Sequence, residues 1–211
     1  MVRPVVIGVT GGVASGKSTV ASLFAELGAV ILDCDRFGHE ALEQSEVKSQ
    51  IRKIWGNGVF KNDAVDRESL GAVVFGTPDR ENLTALENIT HPWIKQRIHK
   101  EIRLATEREV AALVLDAPLL LEAGWDVMCD QIVFVHADLS VRKARAKSRG
   151  WTDQELEKRE QYQLAPQIKK QKSNHTVENS SNQSTALPQL IKLWMAWGLQ
   201  LPKGLTSNPT L

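Results

Sequence analysis

The sequence of 211 residues is 42% apolar and 24% charged, which is the balance of an ordinary globular protein. Its length predicts one domain, or one domain with small inserted lobes. The 26 Lys and Arg residues against 25 Asp and Glu residues give a formal net charge of +1. That balance argues against a general nucleic-acid or membrane-surface binder, because both need an excess of basic residues. We therefore expect neither a nucleic-acid nor a membrane partner.

The two cysteines, Cys34 and Cys129, are too few for a disulfide framework or a cysteine-based zinc site. The apolar runs of the sequence are too short or too polar for a signal sequence or a membrane span. These features fit a reducing compartment, and we expect a cytoplasmic protein.

Four short apolar runs predict buried β-strands. In chain order they are Pro4–Val9, Ala29–Leu32, Val110–Leu115 and Gln131–Val135. Helical segments separate the runs, and continuous Val, Ile and Leu stretches are typical of parallel strands that are buried on both faces. We therefore predict an α/β fold with right-handed crossovers.

The gap between the second and third strands, residues 36–109, is too long for one crossover helix and predicts an inserted helical lobe. Its candidate helices are Val47–Trp55, Arg67–Val74, Pro78–Thr90 and Pro92–Glu109. The last two are expected to begin with proline in the first turn, where proline is tolerated.

Outside this lobe, further helices are predicted at Lys17–Leu27, Ser140–Ser148, Asp153–Tyr162 and Leu187–Trp197. The polar segment Asn174–Thr185 predicts a loop, within which Thr176-Val177 could form a short strand. Residues 203–211 contain Gly and Pro and predict a frayed tail.

Residues 11–18, Gly-Gly-Val-Ala-Ser-Gly-Lys-Ser, match the pattern G-x-x-x-x-G-K-[ST] at every fixed position. The pattern follows a predicted strand and opens a predicted helix, which is the context of a phosphate-binding P-loop. Its backbone N–H groups and the helix N-terminus would bind phosphate oxygens. Lys17 would reach the β- and γ-phosphates, and Ser18 would offer a hydroxyl to Mg²⁺. The alternative is a chance glycine-rich turn.

Carboxylates end two of the predicted strands. Asp33 ends the second apolar run, Asp35 follows two residues later, and Asp116 ends the third run. Ligands of open α/β sheets bind beyond the carboxyl ends of the strands. Asp33 could therefore accept a proton from an attacking hydroxyl or orient Mg²⁺ through water, and Asp116 could hold Mg²⁺. The alternatives are a helix cap for Asp33 and a strand-end turn for Asp116.

Basic residues are concentrated near the end of the chain. Residues 142–172 contain ten basic and four acidic residues, a local charge of +6, while the other residues sum to −5. Arg145 and Arg149 are four residues apart and would share a helix face. A helical lid that carries these arginines would stabilise the charge of a moving phosphoryl group and exclude water. The alternative is a solvated helix face.

These motifs together resemble the dephospho-coenzyme A kinase family over about residues 5–200. The similar segments are Gly8–Thr19, Leu32–Asp35 with His39, Leu86–Pro92, Asp116–Glu122 with Gly124-Trp125, the pair Arg145 and Arg149, the set Arg159, Gln163 and Lys169, and Asn179. The family patterns in the first and fourth segments are G-[LV]-T-G-G-x-x-x-S-G-K-S-T and D-x-P-L-L-x-E.

The resemblance implies that ATP phosphorylates the ribose 3′-hydroxyl of dephospho-CoA to give coenzyme A and ADP, the last step of coenzyme A biosynthesis. It also implies a single P-loop domain of three layers with five parallel strands. The nucleotide-binding core would comprise residues 1–35, 110–140 and 173–200, residues 36–109 would form a helical substrate lobe, and residues 141–172 would form a lid. Separately from the resemblance, we expect the chain to be a monomer or a weak homo-oligomer.

The resemblance also assigns site residues. The catalytic residues would be Asp33, Lys17, Arg145 and Arg149. The nucleotide would lie on Gly11, Gly12, Val13, Ala14, Ser15, Gly16, Lys17, Ser18, Thr19 and Asn179. The substrate would lie on Asp33, Asp35, His39, His91, Pro92, Asp116 and Leu119. Mg²⁺ would lie on Ser18 and Asp116.

The sequence departs from the family pattern at a few positions. Ala14 replaces the usual glycine, and we expect an ordinary φ there with phosphate binding intact. Ser173-Asn174 replaces Ala-Asp, and Glu178 replaces the Asp before Asn179. Because these positions lie near the expected adenine end, they bear on nucleotide selectivity.

Three alternatives stay open at this point. Another P-loop small-molecule kinase, such as a nucleoside monophosphate kinase, would share the phosphate motif. A GTPase-like switch is disfavoured, because Asp35–Gly38 spells D-x-x-G too close to the P-loop and no N-K-x-D segment occurs. A nucleotide-binding module without activity would be compatible with Ala14 and the changed residues 173–178.

Overall fold

A parallel β-sheet of five strands lies at the centre of the larger of two compact units. The computed structural model describes residues 2–76, 79–180 and 185–205. The strands are β1 (Val5–Gly11), β2 (Val30–Asp33), β3 (Phe60–Lys61), β4 (Ala64–Val65), β5 (Ala112–Asp116), β6 (Gln131–His136) and β7 (His175–Glu178). The sheet has the order β2-β5-β1-β6-β7 with every pair parallel, which confirms the predicted α/β class.

Nine α-helices occur in the described part of the chain. They are α1 (Lys17–Glu26), α2 (Cys34–Leu42), α3 (Ser45–Trp55), α4 (Arg67–Val74), α5 (Glu81–Glu107), α6 (Leu139–Ser148), α7 (Asp153–Gln161), α8 (Pro166–Gln171) and α9 (Ala186–Ala196). Short 3₁₀ turns lie at Gly56–Val59 and Trp125–Met128. In this described part, no helix has the length and apolar character that crossing a membrane requires.

The core of the larger unit lies where α1 and α9 pack on the sheet. Ile7 and Val9 of β1 are fully buried in the same cluster as Phe24 of α1 and Trp194 of α9. The rings of Phe24 and Trp194 lie 6.4 Å apart between centroids. Burial of such large apolar side chains is the main favourable contribution to folding, at about 25 cal/mol per Å² removed from water. This packing fixes the direction in which α1 leaves the end of β1.

The larger unit comprises the described residues up to Asp33 and those from Ile102 onward. The smaller unit, Cys34–Glu101, contains α2, α3, α4, most of α5 and the hairpin of β3 and β4. Within it, Arg97 lies 2.9 Å from Glu101 and 3.5 Å from Glu40, while its guanidinium covers the buried ring of Phe37. The ion pairs therefore join α2 to α5.

The hairpin of β3 and β4 was not predicted. Asn62 and Asp63 connect its strands, and both have positive φ, 49° and 61°. Two consecutive left-handed residues make the turn that matches the twist of a hairpin, and Asn and Asp tolerate this conformation better than other side chains. The Asn-Asp pair was the sequence signal for this turn. Helices α2 and α8 were also not predicted.

The prediction of two helices separated at His91-Pro92 was wrong. Helix α5 runs without interruption from Glu81 to Glu107, with Pro92 inside it. Proline at this position lacks the N–H that would donate to the carbonyl of Asn88, and tertiary packing nevertheless keeps the helix continuous. Buried Ile89, Ile94 and Ile98 flank the proline and anchor both halves of α5. The predicted helix start at Thr77-Pro78 lies outside the described residues.

The other elements follow the predictions closely. Helix α4 has the predicted bounds, and the short strand expected at Thr176-Val177 is the centre of β7. Helices α1, α3, α6, α7 and α9 begin or end within two residues of the predicted positions.

We expect Pro92→Ala to stabilise the protein by about 1–3 kcal/mol, because alanine restores the missing backbone hydrogen bond and removes the ring from the helix interior. The midpoint of urea unfolding checks this. The matched control is Pro202→Ala, which changes a proline outside any helix and should bring no gain. An unchanged or lower stability of the Pro92 variant would show that α5 depends on the ring.

Candidate functional site

The loop Gly12–Gly16 connects β1 directly to α1, as the motif predicts. A Cβ on Gly11 would lie 2.6 Å from the carbonyl oxygen of Val135 and 2.7 Å from Ser15 Oγ, so only glycine fits there. Gly16 has a φ of 92°, a conformation that favours glycine. These two glycines let the chain turn tightly and leave the N-terminus of α1 open beside the loop.

Lys17 is the first residue of α1 and folds back over the loop. Its Nζ donates to the carbonyl oxygens of Gly12 at 3.0 Å and Gly11 at 3.3 Å. Burial, together with the positive charge of Lys169, lowers the pKa of Lys17 to about 8, while Asp116 and Glu122 oppose the shift. The ammonium group is thus held beside the phosphate-binding turn and is poorly hydrated, which strengthens its attraction to an anion.

Asp33 and Asp116 occupy the same level of two neighbouring strands. They are register partners at the carboxyl ends of β2 and β5, and the charge of Asp33 contributes to the raised pKa of Asp116. Burial is the main cause of that raised pKa, and a hydrogen bond from the Ser18 hydroxyl opposes it. The parallel sheet therefore brings the two predicted carboxylates together with Ser18.

Ser18 and Asp116 fit a magnesium ion chemically. A hydroxyl and a carboxylate are hard oxygen donors, which Mg²⁺ prefers. Within residues 2–76, 79–180 and 185–205, no cluster of three or more His, Cys, Asp or Glu side chains could hold a metal. A site with so few protein donors suits Mg²⁺ carried by a phosphate ligand better than a metal cage made only of protein groups.

The expectation of an ordinary φ at Ala14 was wrong. Ala14 has a φ of 59°, in the left-handed region. That conformation costs an L-residue about 1–2 kcal/mol, because its Cβ approaches the following carbonyl oxygen. The cost is offset by packing, since Val13 and Ala14 form a buried cluster with Ala146 and Leu156 and against Trp151. The loop thus keeps the shape that glycine would allow.

Helix α6 is tied to this loop by the backbone of Ser15. The Ser15 carbonyl oxygen accepts hydrogen bonds from Arg145 Nη1 and from Asn179 Nδ2, each at 2.8 Å. Arg145 Nη2 donates to the carbonyl of Asn179 at 2.7 Å. Arg142 donates to the carbonyl of Val13 at 3.4 Å and forms an ion pair with Glu160 of α7. Two predicted site residues, Arg145 and Asn179, therefore brace the loop.

Arg149 lies apart from this brace. It is exposed after the end of α6, and its guanidinium lies 5.6 Å from the ring centre of Trp151. Arg159 of α7 covers the same ring at 4.1 Å. The charge of Arg149 still reaches Lys17, where it contributes to the lowered pKa. Arg145 and Arg149, which the sequence analysis considers as one pair, therefore have different surroundings in the structure.

A cavity of about 310 Å³ opens beside the loop in the larger unit. Its lining includes Gly12, Ser15, Arg142 and Lys170, and the backbone at the end of β6 closes one side. Pockets of this size accept one small organic group. The cavity therefore gives the phosphate-binding turn an adjoining space for a further part of a ligand.

Comparison with known proteins identifies the family of this chain. The family model for dephospho-CoA kinase matches residues 5–185. The chain belongs to the dephospho-CoA kinase family. A relative from Symbiobacterium thermophilum, a dephospho-CoA kinase, is 34% identical over 194 residues, which cover 90% of this chain and 80% of the relative.

Two solved structures are similar to this chain. The Thermus thermophilus protein TT1252 is 30% identical to this chain and superposes with a TM-score of 0.80. The superposition covers 93% of this chain and 98% of TT1252. The dephospho-CoA kinase of Campylobacter jejuni is 22% identical with a TM-score of 0.66, over 92% of this chain and 98% of that one. At this level of sequence identity, the similarity to the Campylobacter jejuni protein shows a shared fold.

The residues that the family resemblance assigns to the substrate lie in both units. Leu119 follows β5 in the larger unit, and Asp33 and Asp116 end strands there. Asp35, His39, His91 and Pro92 belong to the smaller unit, the first two on α2 and the last two on α5. Burial lowers the pKa of His91, so its imidazole is neutral at pH 7.

Three charged residues that contact the loop or influence Lys17 were missed by the sequence reasoning. Arg142, Glu122 and Lys169 were not assigned a role, although Glu122 and Lys169 stand in segments that carry the family resemblance. Lys169 is fully buried, and Glu122 lies 3.0 Å from its Nζ. A buried lysine requires a partner, but the sequence spacing of 47 residues between the two gives no sign of the contact.

We expect Ala14→Gly to raise the free energy of unfolding by about 1 kcal/mol, because glycine adopts the left-handed conformation without the Cβ clash. Urea unfolding measures the change. Ala146→Gly is the matched control, since the same substitution within helix α6 should destabilise by about 0.5–1 kcal/mol. Equal losses in both variants would show that the Ala14 methyl contributes more through packing than it costs.

Proposed function

We propose that this chain transfers the γ-phosphoryl group of ATP to the ribose 3′-hydroxyl of dephospho-CoA, giving coenzyme A and ADP as the last step of coenzyme A biosynthesis. The observation that carries the proposal is the pairing of Asp33 with Asp116 at neighbouring strand ends, where Ser18 of the P-loop contacts Asp116. Membership of the dephospho-CoA kinase family supports the choice of acceptor.

In this proposal the loop Gly11–Gly16 and the N-terminus of α1 bind the β- and γ-phosphates. Lys17 exchanges its contacts with the Gly11 and Gly12 carbonyls for phosphate oxygens, which lie beside the same turn. A poorly hydrated ammonium group loses little water on this exchange, so more of its attraction goes to the anion. Asn179 and Arg145 keep the loop in shape through Ser15.

Asp33 accepts the proton of the 3′-hydroxyl in the proposed reaction. The hydroxyl oxygen bonds to the γ-phosphorus, and the bond from that phosphorus to the β–γ bridging oxygen breaks. The bridging oxygen keeps the electron pair and leaves with ADP, and the proton passes to the Asp33 carboxylate. Asp33 is exposed at the end of its strand, which leaves it accessible to an acceptor.

Ser18 and Asp116 would hold Mg²⁺, which when bound supplies positive charge to the phosphates. The sharing of a hydrogen bond between these two side chains supports their assignment as a pair. Thr19, next to Ser18, extends the same turn and completes the proposed nucleotide contacts. ATP as the donor, the cytoplasm as the location and a monomeric or weakly associated state complete the proposal.

We propose that residues 141–172 act as a lid and that residues 36–109 bind the substrate. Arg145 and Arg149 would place positive charge near the moving phosphoryl group, and the effect of Arg149 on Lys17 supports this placement. Asp35, His39, His91, Pro92 and Leu119 would contact dephospho-CoA. Their role rests on the family resemblance.

The decisive experiment measures ADP release with ATP, Mg²⁺ and dephospho-CoA, beside AMP and a blank without acceptor, with the product mass determined. We expect release with dephospho-CoA and a product one phosphate heavier. Release with AMP instead would favour a nucleoside monophosphate kinase. ATP binding without turnover of any acceptor would favour a binding module without activity, and either result would overturn the proposal.

We expect Asp33→Asn to lower kcat by about 10²- to 10⁴-fold, because the amide cannot accept the hydroxyl proton, while ATP binding stays nearly unchanged. Steady-state kinetics and calorimetric titration with ATP check the two parts. The matched control is Asp63→Asn, the same change in the exposed hairpin turn, which should keep full activity. Near-normal turnover of the Asp33 variant would exclude the base assignment.

A further inference from the structure

Glu122 joins the loop after β5 to the predicted lid, residues 141–172. Its Oε1 accepts a hydrogen bond from the backbone N–H of Leu164 at 2.7 Å and lies 3.0 Å from Lys169 Nζ. Leu164 precedes α8, and Lys169 lies within it. One carboxylate oxygen therefore holds both the start and the middle of the segment that ends the lid.

The second half of this link is fully enclosed. Lys169 has no exposed surface, and its Nζ also donates to the Pro118 carbonyl at 3.2 Å and to Gln163 Oε1 at 2.9 Å. Its positive charge is close enough to act on Lys17 of the P-loop. The α8 end of the predicted lid is thus seated beside the phosphate-binding turn.

The buried contact between Glu122 and Lys169 adds little to the stability of the fold. Burying two charges costs free energy that their attraction only partly returns, and apolar residues of similar volume are often as good or better. Across the described residues, the other carboxylate oxygen, Glu122 Oε2, is buried and meets no hydrogen-bond donor. A buried acceptor without a donor costs about 1–3 kcal/mol. Such features are typical of positions where function sets the geometry.

The opposite end of the predicted lid has its own attachment. Arg145 and Arg142 of α6 bind the carbonyls of Ser15 and Val13 in the loop. The lid is therefore fastened at α6 to the P-loop and at α8 to the loop after β5. Loss of the second fastening would loosen the segment from Leu164 through α8. Helices α6 and α7 would stay attached to the loop through the Arg142–Glu160 ion pair and the packing of Leu156.

We propose that Glu122 is a positioning residue for phosphoryl transfer, which holds the α8 end of the lid closed and thereby keeps water from the γ-phosphoryl group. This inference rests on the proposed function, because it needs a P-loop kinase whose lid excludes water. When the link is broken, a water oxygen bonds to the γ-phosphorus and the bond to the bridging oxygen breaks. The products are ADP and inorganic phosphate, with a proton released to solvent.

The test compares the ADP and coenzyme A formed by Glu122→Gln and Glu122→Ala with those formed by the unaltered chain. The unaltered chain should form one ADP for each coenzyme A. Both variants should form ADP in excess, and their ADP release without acceptor should rise roughly tenfold, the factor for one lost hydrogen bond to a charged group. The alanine variant should be the more uncoupled, because it also loses the Leu164 contact.

Glu157→Gln is the matched control, since it makes the same change on the exposed face of α7 and should stay coupled. The double variant Glu122→Gln with Lys169→Met leaves no unpaired buried charge, so it should fold even where the single variants do not, and it should show the same excess of ADP. A merely structural role would lower ADP and coenzyme A in parallel, and an unchanged ratio would overturn the proposal.

Two arms keep this inference separate from the proposed function. If the unaltered chain forms no coenzyme A from dephospho-CoA, the proposed acceptor is wrong. The release of ADP without acceptor still tests Glu122 in that case. No rise in this release in the folded Glu122 variants would overturn the role of Glu122 alone.

Discussion

The parallel pairing of β1 between β5 and β6 is the constraint on which the site depends. Each backbone ladder fixes the register, so the carboxyl ends of neighbouring strands finish at one edge of the sheet. β1 turns there into the loop that opens α1, and β2 and β5 place Asp33 beside Asp116. The burial of Phe24 and Trp194 then holds α1 against the sheet. In the proposed reaction, phosphate groups and acceptor would meet at this edge, which backbone hydrogen bonds define.

A second layer of contacts keeps this edge rigid. The Ser15 carbonyl accepts hydrogen bonds from Arg145 and Asn179. Ala14 tolerates a left-handed backbone because its methyl group is packed. The loop therefore holds its shape through contacts with distant parts of the chain. A loop held in this way keeps its own backbone N–H groups in place, and donors that need not move when charge develops on a phosphate stabilise that charge effectively.

The groups around Lys17 have opposing effects on its pKa. Burial and Lys169 disfavour its positive charge, while Asp116 and Glu122 favour it. Burial leaves the ammonium group poorly hydrated, and the repulsion from Lys169 favours the binding of an anion that would offset it. Asp116 and Glu122 keep enough of the charged form for this binding near neutral pH. Glu122 takes part in this balance and also in the attachment of α8, so one side chain links that helix to the electrostatics of the loop.

Elements with a local cause could be predicted from the sequence. The pattern of residues 11–18, the apolar runs and the strand-end positions of Asp33 and Asp116 predicted the sheet, the loop and the pair of carboxylates, because a periodic pattern and a glycine-rich turn act over a few residues. The hairpin turn at Asn62-Asp63 also has a local cause, because Asn and Asp tolerate the left-handed conformation.

Other features depend on packing between distant parts of the chain. Apolar packing on both sides of Pro92 keeps α5 continuous where local propensity predicts a break. Ala14 takes a positive φ, and its packing against Ala146 and Leu156 helps to offset the cost of that conformation. The contact of Glu122 with Lys169 spans 47 positions of the sequence and exists only because the fold encloses both. Such contacts depend on which side chains share a buried space, and no spacing along the chain encodes that.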